Sequence, residues 1–118
     1  MELRLLKELV KKGESDHLEF KLKTNHPEKI VREIVAFANT RGGKLLVGVG
    51  DDKSLKGLKD IDEDEFLLNR AIEKYISPKL NYEQHRVALD SEREVLVLNI
   101  PRSADKPHYV VDSSGERK

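Results

Sequence analysis

Glu14, Glu19, Lys21 and Asp51 are the residues whose types and spacing could do chemistry. Glu19 and Lys21 stand two apart in 17–23, where Leu18, Phe20 and Leu22 alternate with Glu19, Lys21 and Lys23. That is the period of a half-buried strand, so the two charged groups share its face away from the core. A carboxylate and a lysine side by side match the acidic-x-Lys element of metal-dependent nucleases. There the carboxylate holds Mg²⁺ or Mn²⁺, and the lysine stands near the attacked phosphate or the attacking water. Asp51 lies just beyond an apolar run, and Glu14 enters the strand from the preceding loop. Two or three carboxylates, completed by water and a substrate phosphate, suit a hard divalent cation. The same residues also fit ordinary structure. A half-exposed strand shows Glu and Lys in turn, and Asp51-Asp52 is common turn chemistry.

Basic residues offer a second chemistry. Lys21, Lys23, Arg41 and Lys44 are expected to gather as a patch for phosphates, although a solvated surface is the commoner meaning of such residues. Glycine offers little. Arg41-Gly42-Gly43-Lys44 fails the phosphate-loop pattern, with Ala38 at its first glycine and Leu45 at its Ser/Thr. Gly48-Val49-Gly50 lacks a third glycine, so no ATP site is expected. His17, His26, His85 and His108 show no metal spacing and read as surface or loop residues.

These groups need elements to position them. Residues 2–12 carry a leucine stripe at helical spacing, stopped by Gly13. The strand 17–23 follows, then a turn ending at Pro27, well placed to open a helix reaching about Asn39. Gly42-Gly43 is expected to end that helix. Residues 45–49 are continuously apolar, as in a central strand covered on both faces. Leu55 to Leu58 is expected as a short strand. A helix with a capping box at Asp62 and Glu65 should bury Phe66, Leu67, Ala71, Ile72, Tyr75 and Ile76. Two antiparallel strands, 82–89 and 94–100, and a last one at 108–111 complete the chain. The fold expected is α+β, a single mixed sheet with three helices on one side. Its core includes Phe20, Ile34, Phe37, Leu46, Val47, Val49, Ile72, Val95, Val97 and Leu98.

The chain has 118 residues, which fits one domain over 1–118. Lys plus Arg and Asp plus Glu are 22 each, so bulk charge does not hold the protein on nucleic acid. No cysteine is present, which excludes a disulfide scaffold, cysteine-ligated zinc and a thiol nucleophile. No apolar run approaches a membrane span of about 20 residues, so a soluble cytoplasmic protein is expected. Abundant Lys and Glu, with one Met and no Cys, match a thermophile's composition.

Two strings carry a resemblance to a known family. Glu14-Ser15-Asp16-His17-Leu18-Glu19-Phe20-Lys21 resembles the opening E-S-x-x-(V/L)-E-F-K of Schlafen AlbA-type domains. Ala36-Phe37-Ala38-Asn39-Thr40-Arg41-Gly42-Gly43, running on to Val49, resembles their A-F-A-N-T-x-G-G signature. Gly57-Leu58, Ser77-Pro78 and Lys106-Pro107-His108-Tyr109 also match. The resemblance implies a nucleic-acid-binding module. In its Schlafen branch it implies a Mn²⁺- or Mg²⁺-dependent endoribonuclease acting on tRNA-like RNA. Carried over by motif, the metal carboxylates are Glu14, Glu19 and Asp51, with Asp52 as the alternative third, and Lys21 is the lysine beside them. The Schlafen zinc site is not implied, because its cysteines are missing. The horseshoe of two such lobes implies a homodimer here. The alternative is a non-catalytic DNA- or RNA-binding or regulatory module.

Overall fold

The computed structural model describes residues 1–112 and 114–117. Its elements are α1 (Leu3–Lys12), β1 (Leu18–Lys21), α2 (Pro27–Ala38), β2 (Gly42–Val47), α3 (Ile61–Tyr75), β3 (Ile76–Ser77), β4 (Glu83–Ala88), β5 (Glu94–Pro101) and β6 (Tyr109–Val110). The main sheet is mixed, in the order β1-β2-β5-β4. β1 and β2 are parallel, with Phe20 opposite Leu46, and α2 makes the crossover that parallel strands require. β5 runs antiparallel to both β2 and β4. β3 and β6 form a small separate sheet. No helix among the described residues is long and apolar enough to cross a membrane.

The helices do not share one side of the sheet. Leu45 and Val47 of β2 meet Ile30, Ile34, Phe37, Leu68 and Ile72 of α2 and α3. Leu46 and Val49 meet Leu6 and Val10 of α1, with Phe20, Val95 and Val97. The unbroken apolar run of β2 thus reports two covered faces, and α1 supplies the second cover. All ten expected core residues are buried.

Local chemistry explains most boundaries. Pro27 opens α2, where its missing N–H costs nothing. Gly13 closes α1 at φ +86°. α3 starts two residues before the expected capping box, because Asp60 is its cap and accepts from the Glu63 N–H at 3.4 Å. Phe66 and Leu67, expected in the core, point outward instead. The buried stripe of α3 is Ile61, Leu68, Ala71 and Ile72, and Phe66 lies about 200° around the helix from Leu68.

Gly42 and Gly43 do not end α2; they open β2. Gly42 has φ +83°, and a Cβ there would lie 2.6 Å from the Ile100 carbonyl oxygen. Gly43 lets the Phe37 ring lie against the strand, 2.7 Å from where a Cβ would stand. Leu55–Leu58 forms no strand, only single bridges from Leu55 to Val49 and from Leu58 to Glu94. His108 is a buried residue, not a surface one. Its ring meets the Pro78 carbonyl at 2.8 Å and the Ser103 hydroxyl, and Asn39 pairs with its backbone N–H and C=O at 2.7 and 2.9 Å.

Candidate functional site

The alternation in β1 places its residues as expected. Leu18 and Phe20 are buried under α1, while Glu19 and Lys21 face the α2 side, half-buried at the sheet edge. They do not stand on an open solvent face, because α2 brings Glu33 against them. Lys21 Nζ lies 2.6 Å from Glu33 Oε1 and 3.8 Å from Glu19 Oε1. Burial works against the Lys21 charge, but hydrogen bonding to Glu33 and the surrounding carboxylates outweigh it and hold its pKa above the ordinary value.

Glu14 reaches the same place from the loop after α1. β1 is an edge strand, and the Phe20 N–H is taken up by Glu14 Oε2 at 3.1 Å rather than by another strand. Glu14 also shares a hydrogen bond with the Glu19 carboxyl group. Burial, that bond and the negative charges of Glu33 and Glu14 push Glu19 up to about 7, against the opposing pull of Lys21. Glu19 therefore keeps its proton well above the ordinary carboxylate range, as a carboxyl group crowded by like charges does.

Asp51 does not join this cluster as a third ligand. It sits in the exposed turn after Gly50, and no three His, Cys, Asp or Glu side chains among the described residues are placed together to hold a metal ion. Asp52, the alternative, accepts from the Ser54 N–H at 3.0 Å and from its hydroxyl. Those bonds hold its pKa below the usual carboxylate range. The donors that do meet, Glu14 and Glu19, fit a hard cation that keeps waters and takes one or two protein carboxylates. Such a cation would replace the proton held by Glu19.

The basic residues divide between two surfaces rather than forming one patch. Arg41 and Lys44 line a groove of about 710 Å³ with Lys12, His17 and Glu14. Lys44 Nζ is held there by Asn99 Oδ1 at 3.0 Å. A neighbouring cleft of about 490 Å³ contains Glu19 and Glu33 and shares Ser15, His17 and Arg41 with the first. Lys21 and Lys23 line a different cleft, of about 400 Å³, with His26 and Lys29. Because Lys21 is taken by Glu33 and Glu19, the open cations beside the carboxylate pair are Arg41 and Lys12. Glu33 and Lys12 belong to this region and went unread in the sequence, while His17, expected as a surface histidine, is exposed here. For Glu33 a signal existed: it sits three residues after Ile30 and four before Phe37, on the inward flank of α2.

The family described as Schlafen, AlbA_2 matches residues 14–117. The fold is also similar to a solution NMR structure, the N-terminal domain of a protein from Nitrosomonas europaea described as ATP-dependent DNA helicase RecG-related. The two are 25% identical with a TM-score of 0.71, over 93% of this chain and 80% of that one. No curated protein matches the chain.

Proposed function

The chain belongs to the Schlafen AlbA_2 family, and from that premise we propose that it is a nucleic-acid-binding domain whose contact surface is the groove at the start of β2. The observation that carries the proposal is the side-by-side arrangement of that groove and the carboxylate pair. Lys12, His17, Arg41 and Lys44 present cationic and donor groups around Glu14, and the adjoining cleft holds Glu19. In a chain of zero net charge, phosphate contact must be local. RNA and DNA both offer that backbone, and the DNA-helicase-related description of the structural neighbour keeps DNA among the substrates to test.

The finer reading is a Mn²⁺- or Mg²⁺-dependent endoribonuclease acting on structured RNA such as tRNA. It is favoured by one observation, the Glu14–Glu19 carboxyl pair beside the groove, with Glu19 pushed up to about 7. When bound, the cation would supply charge neutralisation at the phosphate and an activated water. Glu14 and Glu19 would hold it. Arg41 and Lys44 would seat flanking phosphates, and the Glu33–Lys21 ion pair would hold a lysine beside Glu19.

One experiment tests both levels. Labelled tRNA, single-stranded RNA, single-stranded DNA and duplex DNA are each incubated with the protein, with Mn²⁺ or with EDTA. Binding should weaken steeply with salt and should fall in an Arg41→Ala/Lys44→Ala variant. Cleavage should require the metal and disappear in Glu19→Ala, with RNA still bound. Salt-independent binding, or none to any nucleic acid, refutes the groove. Metal-independent products, or none with intact binding, refute the nuclease and leave the non-catalytic module.

A further inference from the structure

Lys21, Lys23, His26 and Lys29 line the cleft of about 400 Å³ at the end of β1, and no carboxylate lines it with them. Lys23 and Lys29 are exposed and form no ion pair among the described residues. His26 stands 4.0 Å from Glu28. Lys21 is the exception, because its ammonium group is held by Glu33 at 2.6 Å.

Glu33 is a costly partner on stability grounds. Its Oε1 meets Lys21, while its Oε2 is buried and has no hydrogen-bond partner among the described residues. A buried acceptor left unpaired works against folding. A carboxylate kept for stability alone would have both oxygens bonded. What Glu33 does achieve is to fill, with one carboxylate oxygen, the ammonium group that a phosphate oxygen would otherwise take.

We propose that the cleft of Lys21, Lys23 and Lys29 is a second seat for a backbone phosphate of the bound nucleic acid, and that Glu33 occupies Lys21 in its place until that phosphate arrives. The inference rests on the nucleic-acid reading above and goes beyond it, because this seat lies outside the groove at the start of β2. The two stand at opposite ends of β1. Ser15, His17 and Leu18 line the groove, and Lys21 to Lys23 line the cleft. Four residues of strand span only about 13 Å. One backbone can therefore reach both, and Glu19 lies between them. Carboxylate and phosphate oxygens compete for the same N–H donors. When Lys21 turns to a phosphate, Glu33 is left facing a cleft of about 490 Å³, roomy enough for water to take over its oxygens.

Fluorescence titration of a labelled single-stranded RNA of about 12 nucleotides, within the length one such surface covers, tests it in EDTA at several salt concentrations. Lys23→Ala/Lys29→Ala should weaken binding and lower the log–log salt slope by about 1 to 2, since it removes two exposed cations. Glu33→Gln fills the same space without the charge and should act in the opposite direction. Binding should tighten at least about threefold and the slope should rise by about 1, because Lys21 becomes free for a phosphate. Asp16→Asn, at an exposed carboxylate of the cleft that Glu33 lines, measures what the loss of any nearby negative charge does, and its gain should be smaller. In a Lys21→Met background the gain from Glu33→Gln should shrink to that of Asp16→Asn. A Glu33→Gln variant that binds no better than Asp16→Asn, or a gain that survives Lys21→Met, overturns the stand-in role. Unchanged binding in Lys23→Ala/Lys29→Ala overturns the seat, and the groove still stands if Arg41→Ala/Lys44→Ala binds weakly. The reverse pattern sinks the groove and keeps the seat. A natural protein that binds no RNA refutes both.

Discussion

Replacing Glu19 by glutamine should make the protein more stable at neutral and alkaline pH, but not at pH 4.5. The carboxyl group is held at about 7 in the fold, against an ordinary value of 4.5, by burial, by Glu14 and by Glu33. At low pH the group is protonated in both folded and unfolded chains and costs nothing. As pH rises from 4.5 towards 7, the unfolded chain has released the proton and the fold still retains it. Stability therefore falls through that window, and above about 7 the loss is complete. At about 1.4 kcal/mol per unit, the full displacement sets a ceiling of about 3 kcal/mol. The Glu19 side chain keeps 28% of its exposure, and solvent screening brings the expected gain to about 1–3 kcal/mol. Glutamine keeps the shape and the hydrogen bond to Glu14 but has no proton to lose. For a domain of this size the gain is about 4–12 °C in melting temperature. Urea unfolding of both proteins from pH 4.5 to 8.5 measures the difference directly, and titrations elsewhere in the chain cancel. A difference that stays flat across this range would refute the crowded-carboxylate account of the site.

Other outcomes follow from the same geometry. Millimolar Mn²⁺ at pH 7.5 should raise the melting temperature of the natural protein, EDTA should reverse it, and Glu19→Gln should show neither effect, since a ligand stabilises only the fold that binds it. Phe37→Ala should cost about 3–5 kcal/mol in denaturant unfolding, because its ring fills the space between α2 and Gly43. Asn39→Ala removes both side-chain hydrogen bonds to the His108 backbone. It should cost about 1–3 kcal/mol and speed hydrogen exchange in residues 102–108. Arg41→Gln should weaken nucleic-acid binding evenly across sequences and lower the log–log salt slope by about 1, which fluorescence titration at several salt concentrations would detect.

The local features of this chain were decided by the sequence, because their physics is local. Alternation at 18–21 set which side chains of β1 are buried, although Leu22, just past its end, is exposed, and Pro27 set the start of α2. The apolar run at 45–49 implied a strand covered on both faces, and β2 is that strand. The pairing of Glu14 with Glu19 spans only five residues and was within reach of motif reading. What depends on chain path was not. α1 turns to the far face of the sheet because the near face is already filled by α2 and α3. Glu33 becomes the partner of Lys21 only once the crossover lays α2 beside β1, twelve residues on. Asp51 stands outside the carboxylate pair because it sits in an exposed turn, whatever its place in a motif. Phe66 faces outward although its type suggests the core, because α3 packs against α2 and the sheet through Ile61, Leu68, Ala71 and Ile72, and Phe66 lies about 200° around the helix from Leu68. Periodicity reports which side chains share a face. Only the packing of one element on another decides which face is inside and which charges must live together.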